Sequence, residues 1–406
     1  MKNVIVIGGG ASGLMAAYAA AQNGNRVTLI EKNEKLGKKI YITGKGRCNL
    51  TNDCAPADFL DNVVRGRKFL TGVTYAFPSE KTMQFFEERG LPLKIERGNR
   101  VFPVSDKASD VTKTLEIACK NAGVSIKLNE EVLKIEVLQS TMRGITTNKA
   151  HYECDCAIVA TGGLSYPSTG STGDGYNFAK QAGHSITPPV PSLVGLELSE
   201  PVSSAQGITL KNVTLFAKFN GKVIFSELGE LLFTHFGISG PLVLSLSAKI
   251  NRMPLDKIEL FLDFKPALDR GKLENRLLRD FSERKNEQIK SVMRGLLPAG
   301  LVYPVLNRAN VIPTKKTCEV QRAERERLIE TLKRYPLALK RLRGFSEAVV
   351  TSGGVDVTQI DPKTMQSKLV KGLYFCGEVL DVDAYTGGYN LQIAFSSGFI
   401  AGNSIK

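Results

Sequence analysis

The chain opens on an apolar, largely β-branched run, Val4-Ile5-Val6-Ile7, followed by glycines at 8, 9, 10 and 13 and an alanine-rich stretch from Leu14 to Gln22. A second apolar run, Val27 to Ile30, ends at Glu31. The first run reads as a buried parallel strand, the alanine-rich stretch as a helix, and Val27 to Ile30 as the next strand. Further along, the pattern predicts a helix over 106–122 and strands over 124–128, 131–137 and 156–160. A strand over 372–376 precedes an apolar helix over 393–401. Alternating apolar and polar positions at 215–219, 223–225 and 258–264 predict an antiparallel sheet. Helical periodicity covers 268–309, and a charged helix is expected over 320–334.

Residues 4–21 carry no charge and superficially resemble a leader peptide. Four glycines interrupt them, and a spanning helix needs roughly 20 steadily apolar residues. The expectation is a soluble, cytoplasmic protein. Of 406 residues, 42% are hydrophobic and 23% charged, an ordinary globular composition, and at roughly 150 residues per domain the length suggests two or three domains. Seven cysteines form no C-x-x-C pair, and only three histidines exist. That pattern excludes a disulfide framework, a metal-ligand array and a dithiol reductase, and fits free thiols.

Gly8, Gly10 and Gly13 fit G-x-G-x-x-G between strand and helix. The first glycine permits the tight turn, the second admits a pyrophosphate, and the third lets helix pack on strand. The helix N-terminus then presents unpaired N–H groups and a positive dipole end. Glu31 closes the second strand, where a carboxylate can accept from ribose hydroxyls. No second glycine-rich fingerprint follows, and the remaining pieces come late in the chain. They are Ala160-Thr161-Gly162-Gly163 after a strand, and Gly377-Glu378 before Gly387-Gly388-Tyr389-Asn390-Leu391-Gln392. One nucleotide fold with distant pieces favours FAD over a nicotinamide dehydrogenase. An acid at a strand end suits a ribityl chain, and a helix N-terminus suits the N1/O2 edge of a reduced flavin.

The stretch Thr43-Gly44-Lys45-Gly46-Arg47-Cys48-Asn49-Leu50-Thr51-Asn52 resembles a signature of the BaiN/YhiN-type bacterial flavoproteins, also called aminoacetone oxidase family FAD-binding enzymes. So do 167–175, 233–241, 351–355 and, most closely, Gly377 through Gly398. Lys45 stands where the signature commonly carries a third glycine. The resemblance runs the length of the chain. It implies an α/β fold: a glutathione-reductase-type FAD-binding Rossmann domain with an inserted antiparallel barrel-like domain and a small helical domain. With Pro-Pro-Val-Pro-Ser at 188–192 taken as a stiff hinge, the FAD domain is 1–190 with 344–406. The β-rich cap is 191–264 with 310–343, and the helical domain is 265–309.

Carried over by motif, Gly8, Gly10, Ser12 and Gly13 hold the pyrophosphate, with Glu31 on the adenosine ribose and Lys32 beside it. Gly46, Arg47, Cys48 and Asn49 lie along the flavin or its phosphates. Val132 meets adenine, and Thr161 and Gly162 close the nucleotide site. Gly377, Glu378, Asp381, Gly388, Asn390 and Leu391 line the ribityl chain and ring. The cofactor expected is noncovalent FAD, with NAD(P)H as a transient electron donor or O₂ as acceptor, and no metal. His235, flanked by Phe233 and Phe236, is the one acid/base candidate, set against a structural role in a turn.

The reaction expected is hydride transfer between flavin and a small molecule, and the resemblance implies either amine oxidation or reduction of an enone. The formal charge of +14 complicates this. Residues 265–341 hold 19 Lys/Arg against 9 Asp/Glu. A solvated helical surface accounts for such a stretch, and its few aromatic residues do not interleave with the basic ones to stack bases. A nucleic-acid partner is therefore not expected, and a flavin-containing RNA-modifying or RNA-binding protein stands as the alternative.

Overall fold

The computed structural model describes residues 1–406, which divide into two compact units: Met1–Ser192 with Gly344–Lys406, and Leu193–Arg343. In the first unit, five parallel strands lie in the order Leu373–Phe375, Cys156–Val159, Asn3–Ile7, Arg26–Ile30, Ser125–Lys127. Val4 of the central strand pairs with Cys156 on one side and Val27 on the other. Every residue from Val4 to Ile7 is buried, which explains a run without polar alternation.

The Ala11–Gln22 helix packs on this sheet and against the C-terminal helix, Tyr389–Asn403. The approach is close: a Cβ on Gly398 would lie 2.3 Å from the Ser12 carbonyl oxygen, and one on Gly402 would lie 2.2 Å from that of Ala16. Small residues on both helices allow backbones to touch, so both helices are apolar nearly all round. The unit also holds an antiparallel sheet of Val132–Leu138, Thr141–Thr147 and His151–Glu153. A smaller one joins Thr51–Asn52 to the hairpin Leu93–Glu96 and Arg100–Pro103, which the hydropathy pattern did not suggest.

The segment read as a stiff hinge is a strand. Ile186–Ser192 pairs antiparallel with Val350–Val355, with Val190 opposite Ser352 and Ser192 opposite Val350. Prolines fit because this is a two-stranded ribbon, where one edge needs no N–H donors, and the register shifts between Thr187 and Val190. The chain leaves the unit only after Ser192.

The second unit is built on a seven-stranded antiparallel sheet whose long strands are Thr209–Phe219, Lys222–Phe233 and Ile258–Asp263. Its helices include Pro241–Ile250, within the stretch read as β-rich, and Arg270–Glu283, Ala299–Arg308 and Arg322–Lys333. Leu273, Leu277, Ile289, Leu301 and Val305 share one hydrophobic core with Leu215, Phe233 and Leu262. Residues 265–309 thus have no core apart from the sheet's. No helix of the chain is long and apolar enough to cross a membrane.

Candidate functional site

The glycine fingerprint is organised as its spacing requires. Gly8 has φ 105°, and a Cβ there would lie 2.6 Å from the Ala160 carbonyl oxygen. A Cβ on Gly13 would lie 1.9 Å from the Gly8 carbonyl oxygen, so only glycine lets helix meet strand. Gly10 is different. It caps the helix, and nothing lies within 4 Å of where its Cβ would stand. That open space, in front of first-turn N–H groups with no intrahelical partner, is the cradle a pyrophosphate needs. The structure fits the group.

Glu31 is 8% exposed. One carboxylate oxygen accepts from Gly9 N (2.7 Å), the other from Asn33 N (2.8 Å) and Asn33 Nδ2 (2.6 Å). It is therefore fixed in place at the strand end with lone pairs to spare. Lys32 pairs with Asp174 at 2.5 Å. Val132, buried, begins its strand opposite Thr147. Thr161 and Gly162 follow the Cys156–Val159 strand. Gly162 has φ 74°, and Thr161 Oγ1 is buried without a hydrogen-bond partner.

The signature segment lies against the C-terminal pieces. Gly388 caps the last helix at φ 100°, and a Cβ there would lie 2.2 Å from the Thr51 carbonyl oxygen. Thr51 Oγ1 donates to Gln392 Oε1 (2.6 Å), and Asn52 Nδ2 to the Gly387 carbonyl (3.0 Å). Gly377, at φ 77°, faces Ser12: a Cβ would lie 2.4 Å from Ser12 Oγ. Thus Gly8 meets Thr161, Ser12 meets Gly377, and Thr51 meets Gly388, each pair from distant parts of the chain.

Several expected residues are engaged in ways the sequence did not reveal. Arg47 stacks over Phe102 (4.2 Å), its Nε donates to Asp106 (2.7 Å), and its guanidinium also pairs with Glu96. Asn390 ties a loop, accepting from Ala384 N (3.0 Å) and donating to the Ala384 and Tyr385 carbonyls. Leu391 packs partly buried against the core. Asp381 receives a two-point clamp from Arg65 (2.8 and 2.6 Å). Cys48 is buried at φ 61°, with its thiol pushed up to about 12 by burial; Gly46 has φ 85° and Asn49 Oδ1 is buried without a partner. His235 lies in the second unit, exposed, edge-on to Phe236 (5.1 Å).

Two clusters were missed. Glu378 Oε2 meets Lys39 Nζ at 2.6 Å, while Oε1 accepts from Ser165 Oγ (2.5 Å) and Thr351 N (2.9 Å). Asp383, fully buried, accepts from Ser192 Oγ (2.9 Å) and Ser352 Oγ (3.0 Å). Both join residues more than a hundred positions apart; the acids lie in the 377–398 stretch and Thr351 and Ser352 in 351–355, whereas Lys39 and Ser165 stood in no motif and Ser192 closed the segment read as a hinge.

A profile of the HI0933-like protein Rossmann domain matches residues 2–404. A 3-dehydro-bile acid Δ(4,6)-reductase from Clostridium scindens is 32% identical over 100% of this chain and 99% of its own. A ribosomal RNA dihydrouridine synthase from Haemophilus influenzae is 32% identical over 99% and 98%, and one from Escherichia coli is 31% identical over 98% and 96%. Among solved structures, a 3-ketosteroid-Δ4-(5α)-dehydrogenase from Rhodococcus jostii aligns with TM-score 0.55, 15% identity, and coverage of 100% and 96%. A flavocytochrome c3 fumarate reductase aligns with TM-score 0.53, 20% identity, and coverage of 100% and 78%. With its parallel-sheet Rossmann core and a match along almost its whole length, the chain belongs to the HI0933-like Rossmann family of flavoprotein oxidoreductases.

Proposed function

We propose that this protein is an FAD-dependent reductase that saturates a ring carbon–carbon double bond conjugated to a carbonyl, and that its substrate is a uridine in ribosomal RNA. The carrying observation is that full-length relatives named for two different substrates have one reaction in common. A bile-acid Δ(4,6)-reductase and a dihydrouridine synthase each add two hydrogens across such a bond. Bound and reduced, FAD would supply the hydride.

The chain's own residues serve to bind and orient. Gly8, Gly10, Ser12 and Gly13 hold the pyrophosphate without covalent attachment, and Glu31 the adenosine ribose. Thr161 and Gly162 close the nucleotide end. Glu378, held by Lys39, Ser165 and Thr351, orients the ribityl chain. The Gly388 end of the last helix would offer its positive dipole to the negative charge that develops on a reduced flavin. NAD(P)H is the electron donor in this reading.

The RNA assignment takes up the alternative that the sequence left open, an RNA-modifying flavoprotein, in preference to a small-molecule substrate. It rests on the two dihydrouridine synthase relatives together with a net charge of +14, which suits a polyanion. A second reading, a small enone, is favoured by the bile-acid reductase relative. In vitro-transcribed bacterial ribosomal RNA, incubated with enzyme and NADPH and digested to nucleosides, should yield dihydrouridine by mass spectrometry. No dihydrouridine, with rapid anaerobic reoxidation of the reduced flavin by a steroid dienone, would establish the second reading instead.

A further inference from the structure

The signature loop is bent into a conformation that glycine prefers. Gly44 (φ 55°, ψ 33°) and Lys45 (φ 58°, ψ 41°) are consecutive left-handed residues, and Gly46 follows at φ 85°. A lysine in this region is strained relative to glycine, and such strain is enriched at binding and catalytic sites. Lys45 is exposed and has no carboxylate partner.

The nearest charged groups are accounted for. Arg47, two residues on, is neutralised by Glu96 and Asp106, and Lys94 takes Asp106 (2.6 Å) and Glu96 (3.8 Å). Glu96 and Asp106 are consumed, Asp53 beside the tip is exposed and makes no ion pair, and three cations remain without a carboxylate: Lys45, Arg97 and Arg100. Arg97 and Arg100 flank the exposed hairpin tip, where Gly98 (φ 77°) and Asn99 (φ 58°) turn the chain.

That tip is anchored at the site. Asn52, 2% exposed, donates through Nδ2 to the Gly98 carbonyl (3.0 Å) and to the Gly387 carbonyl (3.0 Å), and Asp53 N donates to the Asn99 carbonyl (2.7 Å). The hairpin tip, the signature segment and the turn that opens the last helix therefore meet at one buried asparagine. The cations stand beside the loop that borders the cofactor site.

We infer that Lys45, Arg97 and Arg100 form a cationic rim that takes the phosphates of the RNA strand carrying the base to be reduced. This rests on the RNA reading above. Each cation contacting a phosphate contributes close to one unit to the slope of log affinity against log salt.

The test compares the wild-type holoenzyme with Lys45→Gly, with the triple variant Lys45→Gly/Arg97→Ser/Arg100→Ser, and with Lys285→Ser/Lys290→Ser/Lys316→Ser. The last removes equal charge from exposed or half-exposed sites in the other unit. Binding of in vitro-transcribed bacterial ribosomal RNA is measured by anisotropy between about 50 and 200 mM salt. The rim triple should lower the salt slope by about 2–3, Lys45→Gly by about 1, and the distant triple by less than 1. Lys45→Gly should melt no lower than wild type, because glycine relieves the left-handed backbone. FAD content and the rate of flavin reduction by NADPH should not change. A rim triple with the wild-type slope, an equal loss in the distant triple, or loss of FAD from the rim triple would each overturn the inference. Wild-type protein that binds no RNA would overturn the RNA reading and this inference together, whereas dihydrouridine formation with an unchanged slope would overturn this inference alone.

Discussion

Lys39 and Glu378, 339 residues apart, meet at 2.6 Å in a network closed by Ser165 and Thr351. Their side chains are 23% and 20% exposed. Burial pushes the Glu378 carboxyl up. The Lys39 ammonium, the Ser165 hydroxyl and the Thr351 N–H pull it further down, and the net result lies below its ordinary range. The contribution of this carboxylate to stability is therefore full at neutral pH and is lost as pH falls through the lowered folded value. Lys39→Met should cost about 1–3 kcal/mol at pH 7, with the deficit shrinking below about pH 4. Urea melts across that range check it; a deficit independent of pH would show that lost packing, not lost charge, is responsible.

Gly10 and Gly13 should respond oppositely to added side chains. Space above Gly10 is open, so Gly10→Val should fold but emerge colourless, lacking the stabilisation that bound cofactor confers by mass action. Gly13→Ala places a methyl 1.9 Å from the Gly8 carbonyl oxygen and should misfold or melt far lower even with excess FAD. Absorbance near 450 nm and thermal melts with and without added FAD separate the two. A yellow Gly10→Val protein would remove the pyrophosphate from this turn.

Asp383 titrates in the other direction from Glu378. Burial raises its carboxyl to about 6, against the lowering effect of Ser192, Ser352 and Arg65. The folded protein thus holds this proton more tightly than the unfolded chain, and stability falls as pH rises from about 4 to about 6. Asp383→Asn keeps two hydrogen-bonding atoms and removes the buried charge, so it should flatten that slope and gain about 1–2 kcal/mol at pH 7. Unchanged pH dependence in the variant would assign the slope to another group.

Thiol reactivity should be confined to the surface. Cys318 is exposed, whereas burial pushes Cys48, Cys119, Cys154 and Cys376 up to about 12 and Cys54 up to about 11. A thiolate-specific reagent at pH 7.5 should label one cysteine quickly, and Cys318→Ser should abolish that phase. Rapid labelling of Cys48 in the native protein would show that burial does not keep its thiol protonated and out of reach.

What the sequence determined by itself is local. The spacing of Gly8, Gly10 and Gly13 between a strand and a helix, with Glu31 closing the next strand, needs only the periodicities of 2.0 and 3.6 and the room a missing Cβ leaves. The order of strands and helices in the Rossmann core was legible for the same reason. The tertiary structure decided everything that depends on partners remote in the chain. The prolines of 188–192 became a strand because Val350–Val355 offered a ribbon edge, and residues 265–309 joined the sheet's core because their apolar face had nothing else to bury against. Arg47 lies in a signature yet spends its charge on Glu96 and Asp106, which leaves Lys45, unremarkable by composition, as a free cation of that loop. Periodicity encodes which face of an element is buried; it does not encode which distant charge that face will meet.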